Sequence, residues 1–270
     1  MLMTIKNSLN EDELKLAKEL YKEAFNDTDA FIDLYFSSYA KNNNAWYGFN
    51  KDNQLVFMTW LNKKRIMLND VKESAGFIVA VATKKEFQGQ GIMKSFFAKW
   101  LNQISLLYKY IFIQAYNWDV YKSYNFSTCT IKKLYRLRKD QFLKLDEIFP
   151  ITNYDLINEI YNNFVKRNGI ENFSYRTSKE NKLILKMFEA AGDKIIHTKK
   201  SYILLSNNVV VDYAFLDLKD FIRLLSRLPF DTKIYSYIDL DKRYFNLLEE
   251  TKEETKILDN NTNILFNEFF

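Results

Sequence analysis

Gly89 and Gly91 stand two residues apart, between a strand-like run and an amphipathic helical run, in a chain of 270 residues with only 6 glycines. The segment reads Val79-Ala80-Val81-Ala82-Thr83-Lys84-Lys85-Glu86-Phe87-Gln88-Gly89-Gln90-Gly91-Ile92-Met93. Glycine reaches positive φ and lets a ligand come close to the backbone. A helix that starts just behind it supplies unpaired N–H groups and a partial positive charge. Together these make a seat for a diphosphate. At about 1.5–3 kcal/mol per charge-assisted hydrogen bond, roughly four or five amides hold a nucleotide-type ligand without a lysine. Other phosphate motifs fit worse. A P-loop ends in Gly-Lys-Ser/Thr, whereas Gly91 is followed by Ile92-Met93. A dinucleotide fingerprint needs a third glycine where this chain has Lys94.

Other reactive side chains are few. His197 is the only histidine and Cys129 the only cysteine. A Ser-His-Asp or Cys-His mechanism would have to run through His197, whose place in Ile195-Ile196-His197-Thr198 reads as an alternating strand, so no catalytic role is expected for it. One cysteine permits no intrachain disulfide and excludes a Cys-rich metal site, and no metal is expected. The net charge of +5 is spread over scattered lysines with no basic stripe, so no nucleic-acid partner is expected. No apolar run reaches about 18 residues, and Met1–Lys6 lacks the features of a signal peptide. The expectation is a cytoplasmic protein with no membrane partner.

The elements that must position the glycine turn are legible on either side of it. A strand over Met1–Lys6 precedes a helix opened by Asn10-Glu11-Asp12-Glu13, with Leu14, Ala17, Leu20, Tyr21 and Phe25 on its 3.6-residue period. Asp27-Thr28-Asp29 opens a second helix. Strands follow over Ala45–Phe49, Leu55–Leu61 and Gly76–Thr83. Ile92, Met93, Phe96, Phe97, Trp100, Leu101 and Ile104 form one face of a helix, with Lys94, Ser95, Lys99 and Gln103 on the other. A strand over 110–115, a short helix over Trp118–Tyr124 and a strand over Phe126–Leu137 complete this set. Arg138–Thr152, with Pro150, reads as a linker. A second set then repeats the order: helices near Tyr154–Arg167 and Ser178–Ala191, strands at 194–199, 202–205 and 209–215, a helix over 218–228 and a strand over 233–240. Glu249, Glu250, Glu253 and Glu254 read as a solvated, helix-like acidic face. The fold class is α/β (α+β). With 47% apolar and 17% aromatic residues, the chain has enough apolar surface for two cores.

Gln88-Gly89-Gln90-Gly91, in this setting, resembles the acetyl-CoA loop of the GNAT superfamily, Arg/Gln-x-x-Gly-x-Gly/Ala. The run from Val81-Ala82-Thr83 to Ile92-Met93 is more similar still to the Eis (enhanced intracellular survival) branch, where the larger residue at Met93 is familiar. Val120-Tyr121-Lys122-Ser123-Tyr124-Asn125-Phe126 resembles the superfamily's Tyr-x-x-x-Gly-Phe signature, with Asn125, the residue type next best suited to positive φ, in the glycine position. The specific motifs span Thr83 to Phe126, about half the chain with their flanking elements; over the second half only element order matches.

The resemblance implies a GNAT fold with a mixed central sheet, in tandem. Residues 1–138 would be an acetyl-CoA-binding GNAT domain and 150–270 a degenerate GNAT-like domain, without the third, sterol-carrier-like domain of the Eis enzymes. It implies Val81, Ala82, Thr83, Gln88, Gly89, Gln90, Gly91, Ile92 and Met93 as acetyl-CoA contacts, and Tyr121 beside the sulfur. Chemically, an amine attacks a thioester, negative charge builds on the carbonyl oxygen, and thiolate leaves. Backbone N–H groups at the end of the Val79–Thr83 run suit that oxygen. A phenol with a pKa of about 10 suits protonation of the thiolate. Ala75–Thr83 holds no carboxylate to serve as base; the candidates are water and, by resemblance to the Eis enzymes, a terminal carboxylate at Phe270. In the second set, Val209–Leu218 passes from strand to helix without a glycine and with Asp217 at the turn, so no CoA site is expected there. The expected activity is N-acetyl transfer from acetyl-CoA to a small-molecule or peptide amine. A catalytically silent acyl-CoA-binding or protein-interaction module and transfer of another acyl group are the rival readings. Exposed Phe and Tyr surfaces would allow a homo-oligomer.

Overall fold

A computed structural model describes residues 3–39, 45–138, 152–168, 170, 172–229 and 231–258. The elements are β1 (Thr4–Lys6), α1 (Glu11–Phe25), α2 (Asp29–Tyr39), β2 (Trp46–Phe49), β3 (Leu55–Leu68), β4 (Val71–Thr83), α3 (Ile92–Ser105), β5 (Tyr110–Ile113) and β6 (Phe126–Leu137), then α4 (Tyr154–Arg167), β7 (Phe173–Ser174), α5 (Ser178–Ala190), β8 (Lys194–His197), β9 (Ser201–Ser206), β10 (Val209–Phe215), α6 (Leu218–Leu225), β11 (Lys233–Ser236) and β12 (Phe245–Leu258). Short 3-10 helices cover Lys85–Phe87 and Trp118–Tyr124.

Local chemistry sets many of these boundaries. Asn10 and Glu13 form a reciprocal capping box at the start of α1, and Asn26, in the left-handed region, ends it. Thr177 and Glu180 do the same for α5. α3 buries Ile92, Phe97, Trp100, Leu101 and Ile104, the stripe its period predicts. That stripe packs on Val56, Phe57, Leu61 and Ile111. On the sheet's other face, α1 and α2 cover β2–β4 with a ring cluster in which Tyr35 stacks on Trp60 at 5.4 Å. A separate core of the second half is built around Tyr161, Phe164, Tyr202 and Tyr213.

The described strands form a mixed sheet in the order β1-β2-β3-β4-β5-β12-β6-β11-β10-β9-β8, with β7 on β3. β4–β5 and β10–β11 are parallel and the other neighbours antiparallel. The series helix-helix-strand-strand-strand-helix-strand-strand occurs twice, giving the tandem GNAT-like arrangement, yet the two sets do not close separately. β12, the last strand of the second set, lies between β5 and β6. Reciprocally, β6 pairs with β11 of the second set. Each half thus has its sheet extended by the final strand of the other.

The structure departs from the sequence pattern at several elements. The acidic run at 249–254 is part of β12, not a helix: Glu253 stands opposite Lys132 and Glu249 opposite Leu134 in the ladder with β6. Tertiary pairing overrides the helical spacing of its acids. β3 and β4 run well past Leu61 and start well before Gly76, joined by Asn69-Asp70 at φ 46 and 63, where two positive-φ residues make a tight hairpin. The extension runs through Lys63, Lys64 and Arg65, a charged stretch with no apolar alternation to announce a strand. β8 stops at His197, α6 at Leu225 and β11 at Ser236, each short of its expected end. The expected linker is, over 139–151, outside the described residues.

Candidate active site

β4 and β5 pair from Ala75–Tyr110 to Ile78–Ile113 and then part, β4 continuing to Thr83 with β3 as its partner. The opening between them is a cleft of about 970 Å³. Its walls are Val79–Thr83 on one side and Gln114–Asn117 on the other. At the mouth of this fork β4 carries one residue more than β3, since Met58 faces Ala82 while Trp60 faces Val79. Ala80 takes φ 53 within this bulge, a strained setting for a residue with a side chain. The bulge withdraws a peptide unit from the ladder beside the cleft.

The glycine turn closes one end. Lys84 donates its N–H to Val56 O at 2.8 Å, and the chain then makes the Lys85–Phe87 turn. Gln88 Nε2 donates to Thr83 O at 3.0 Å and Gln90 Nε2 to Glu86 O at 3.3 Å, which holds the turn's shape. Gly89 and Gly91 sit at φ 75 and 73, where other residues are strained. A Cβ on either would meet nothing within 4 Å, so the space in front of both is open. Gly91 caps α3 without a side-chain hydrogen bond, and no acid stands in the first turn. The N–H groups there have no intrahelical partner by construction, and Ile92, Met93 and Lys94 all line the cleft.

Opposite, the Trp118–Tyr124 helix is capped by Asn117, which accepts the Asp119 N–H at 3.0 Å, and ends at Asn125 with φ 55. Tyr121 lines the cleft, half-buried, with its ring edge-on to Phe97 at 5.5 Å and to Trp118 at 6.2 Å. Burial, with Tyr124 adding to it, pushes its hydroxyl above the ordinary tyrosine range. It therefore stays protonated and able to donate at any physiological pH.

Of the residues singled out in the sequence, Val81–Thr83, Gln88, Gly89, Gly91–Met93 and Tyr121 line this one cleft, and Gln90 does not. Phe270 lies outside the described residues. Sequence reasoning missed the third wall, Glu23, Ala24 and Phe25 at the end of α1, together with Tyr116. Behind that wall Asp27 accepts a hydrogen bond from Tyr21, and burial raises its carboxyl above the usual range. No local motif marks these residues; only the packing of α1 on β4 brings them there.

The second half is built differently at the matching place. Asp217 accepts the N–H groups of Lys219 and Asp220 at the start of α6, so that helix end is already occupied by the chain's own carboxylate. β10 also has a bulge just past its parallel pairing, between Val210 and Asp212. Asp212 is buried there against Arg176 at 3.1 Å and the Tyr202 hydroxyl at 3.0 Å. His197 is buried with Nε2 accepting the Asn153 N–H at 3.1 Å, and is not among the cleft-lining residues. Burial pushes the Cys129 thiol up to about 12, far from a reactive thiolate. Among the described residues, no group of His, Cys, Asp or Glu is set to hold a metal ion, and no helix is long and apolar enough to cross a membrane.

Comparison with known proteins agrees with this geometry. Residues 6–129 match the family model for the acetyltransferase (GNAT) domain. No curated protein matches the sequence. Among solved structures the fold is similar to Eis1 from Mycobacterium abscessus, with TM-score 0.67 and 14% identity over 95% of this chain and 73% of that one. It is similar to a GCN5-related N-acetyltransferase from Anabaena variabilis, with TM-score 0.68 and 10% identity over 95% and 72% of the two chains. A GCN5-related N-acetyltransferase from Kribbella flavida gives TM-score 0.65 and 8% identity over 95% and 70%. At such identities the structural likeness speaks for the fold, and the family match speaks for the chemistry of the half that holds the cleft. Residues 6–129, the part that holds the cleft, therefore carry a GNAT acetyltransferase domain, which supports acyl transfer as this chain's chemistry.

Proposed function

We propose that the protein transfers an acetyl group from acetyl-CoA to a primary amine by direct attack, in the cytoplasm. The observation that carries this reading is the coincidence, in one cleft, of an open glycine turn at a helix N-terminus, a bulged strand and a protonated tyrosine. Amides of Gln88–Met93 bind the diphosphate. Val81–Thr83 hold the pantetheine arm by their exposed edge, where β5 has turned away. The peptide released by the bulge at Ala80 polarises the thioester carbonyl as charge builds on its oxygen. Tyr121 gives its proton to the departing sulfur. The amine enters past Glu23, Phe25 and Tyr116 and loses its proton to solvent, β4 offering no carboxylate between Ala75 and Thr83. A cleft of this size is within the range of about 300–1,000 Å³ typical of small-molecule sites.

In this reading residues 1–138 are the acetyl-CoA-binding domain and 150–270 the degenerate one, dividing the chain rather than the sheet. Capped α6 and the buried Arg176–Asp212 pair support a second half without a CoA site. The lack of a carboxylate on β4 between Ala75 and Thr83 favours a rival, a domain that binds acyl-CoA without turnover. Calorimetry with acetyl-CoA, expected to give one site per chain, and acetylation of an amine panel covering polyamines, aminoglycosides and peptides separate the readings. Binding without any acetylated product supports the rival; no binding of any acyl-CoA removes both.

A further inference from the structure

The first peptide of the diphosphate turn is tied down from a distant part of the chain. The β3–β4 ladder ends with the Lys84 N–H on Val56 O. The Lys85–Phe87 turn comes next, and the opening N–H of such a turn has no partner inside it. Lys84 gives no side-chain cap. The Lys85 N–H instead donates to Glu23 Oε1 at 2.7 Å, 62 residues away in sequence on the last turn of α1. This is a helix-style cap supplied by tertiary structure, with the added strength of an ionised acceptor. Lys84 Nζ pairs with Glu86 at 2.8 Å. The Lys84 ammonium is held above its ordinary pKa, first by Glu86 and further by Glu23 and Glu19, so local positive charge offsets the carboxylate near an anion seat.

We infer that Glu23 is a positioning residue for acyl-CoA: by holding Lys85, it sets the turn that presents the Gln88–Met93 amides. The inference rests on the proposed function. It also makes the α1 wall of the cleft and the diphosphate seat one mechanical unit.

The test compares Glu23→Ala with Glu23→Gln, whose amide oxygen still accepts the Lys85 N–H. If the competent turn falls to about a tenth of the population in Glu23→Ala, CoA binds about tenfold more weakly, equivalent to about 1.4 kcal/mol. Glu23→Gln recovers most of that affinity. KM for acyl-CoA rises with the dissociation constant in Glu23→Ala and returns toward the wild-type value in Glu23→Gln. Amide exchange at Lys85, measured without ligand, quickens in Glu23→Ala and returns toward wild type in Glu23→Gln. Wild-type CoA affinity in Glu23→Ala overturns the positioning role. So does a fall of kcat in both variants at unchanged KM, which would make the carboxylate a proton acceptor. Failure of the wild-type protein to bind CoA overturns the function itself and this role with it, and is told apart by that control.

Discussion

Gly91→Val should separate the fold of the glycine turn from its use. Gly91 has φ 73 and no heavy atom within 4 Å of a Cβ built on it. The added Cβ therefore meets nothing in the protein, and the main effect on stability is backbone strain. A residue with a side chain in the left-handed region costs about 1–2 kcal/mol. At roughly 2–4 °C per kcal/mol for a chain of this size, the melting temperature should fall by about 2–8 °C. Affinity should suffer much more. The new methyl groups occupy the open space before the first turn of α3, where a diphosphate would accept hydrogen bonds from main-chain amides. Losing one or two charge-assisted bonds, at about 1.5–3 kcal/mol each, weakens CoA binding by at least tenfold, and by over a hundredfold if two are lost. Gly91→Asn is the control, because asparagine tolerates positive φ better: it should melt nearer to wild type and still bind poorly. Calorimetry of CoA binding beside thermal unfolding reads both effects. Undiminished affinity in Gly91→Val would refute the placement of the diphosphate.

Tyr121→Phe should lower kcat by about a hundredfold or more, the usual contribution of a general acid, with CoA affinity nearly unchanged; full activity would return the ring to packing against Phe97. Because burial raises the Tyr121 pKa above the ordinary value, its donor form persists as pH rises, so the rate should climb with amine deprotonation and show no falling limb below about pH 10. A falling limb at pH 8–9 in a protein still folded there would contradict this. Asp212→Ala removes the carboxylate that faces the buried Arg176 at 3.1 Å, and should cost about 3–5 kcal/mol in urea unfolding without changing CoA affinity per folded molecule. A fragment of residues 1–138 should fail to give the dispersed NMR spectrum of a folded domain, since β12 is missing between β5 and β6; a folded, CoA-binding fragment would show that strand to be dispensable.

What could be read from sequence was what is encoded locally. The stripe of α3, the caps of α1 and the two glycines each lie within a few residues of their cause, and of these the glycines and the start of the α3 stripe line the cleft. The Trp118–Tyr124 turn and positive φ at Asn125 were legible for the same reason. Features made by long-range pairing were not. Nothing in Phe245–Leu258 announces a strand between β5 and β6, and its paired glutamates mimic the spacing of a helix. Glu23 is one of several acids on α1, and its role emerges only when that helix packs on β4 and reaches Lys85. The bulge at Ala80 is equally silent, because it is defined by a partner strand.

The exchange of final strands has a consequence for how the protein is made. Translation proceeds from the N-terminus, and β5 and β6 leave the ribosome together with a gap between them. β12 follows about 120 residues later, which at about 5–20 residues per second is a delay of roughly 6–24 seconds. Through that interval the nascent chain bears unpaired strand edges on β5 and β6. Such edges are open to pairing with those of other nascent chains until the closing strand arrives.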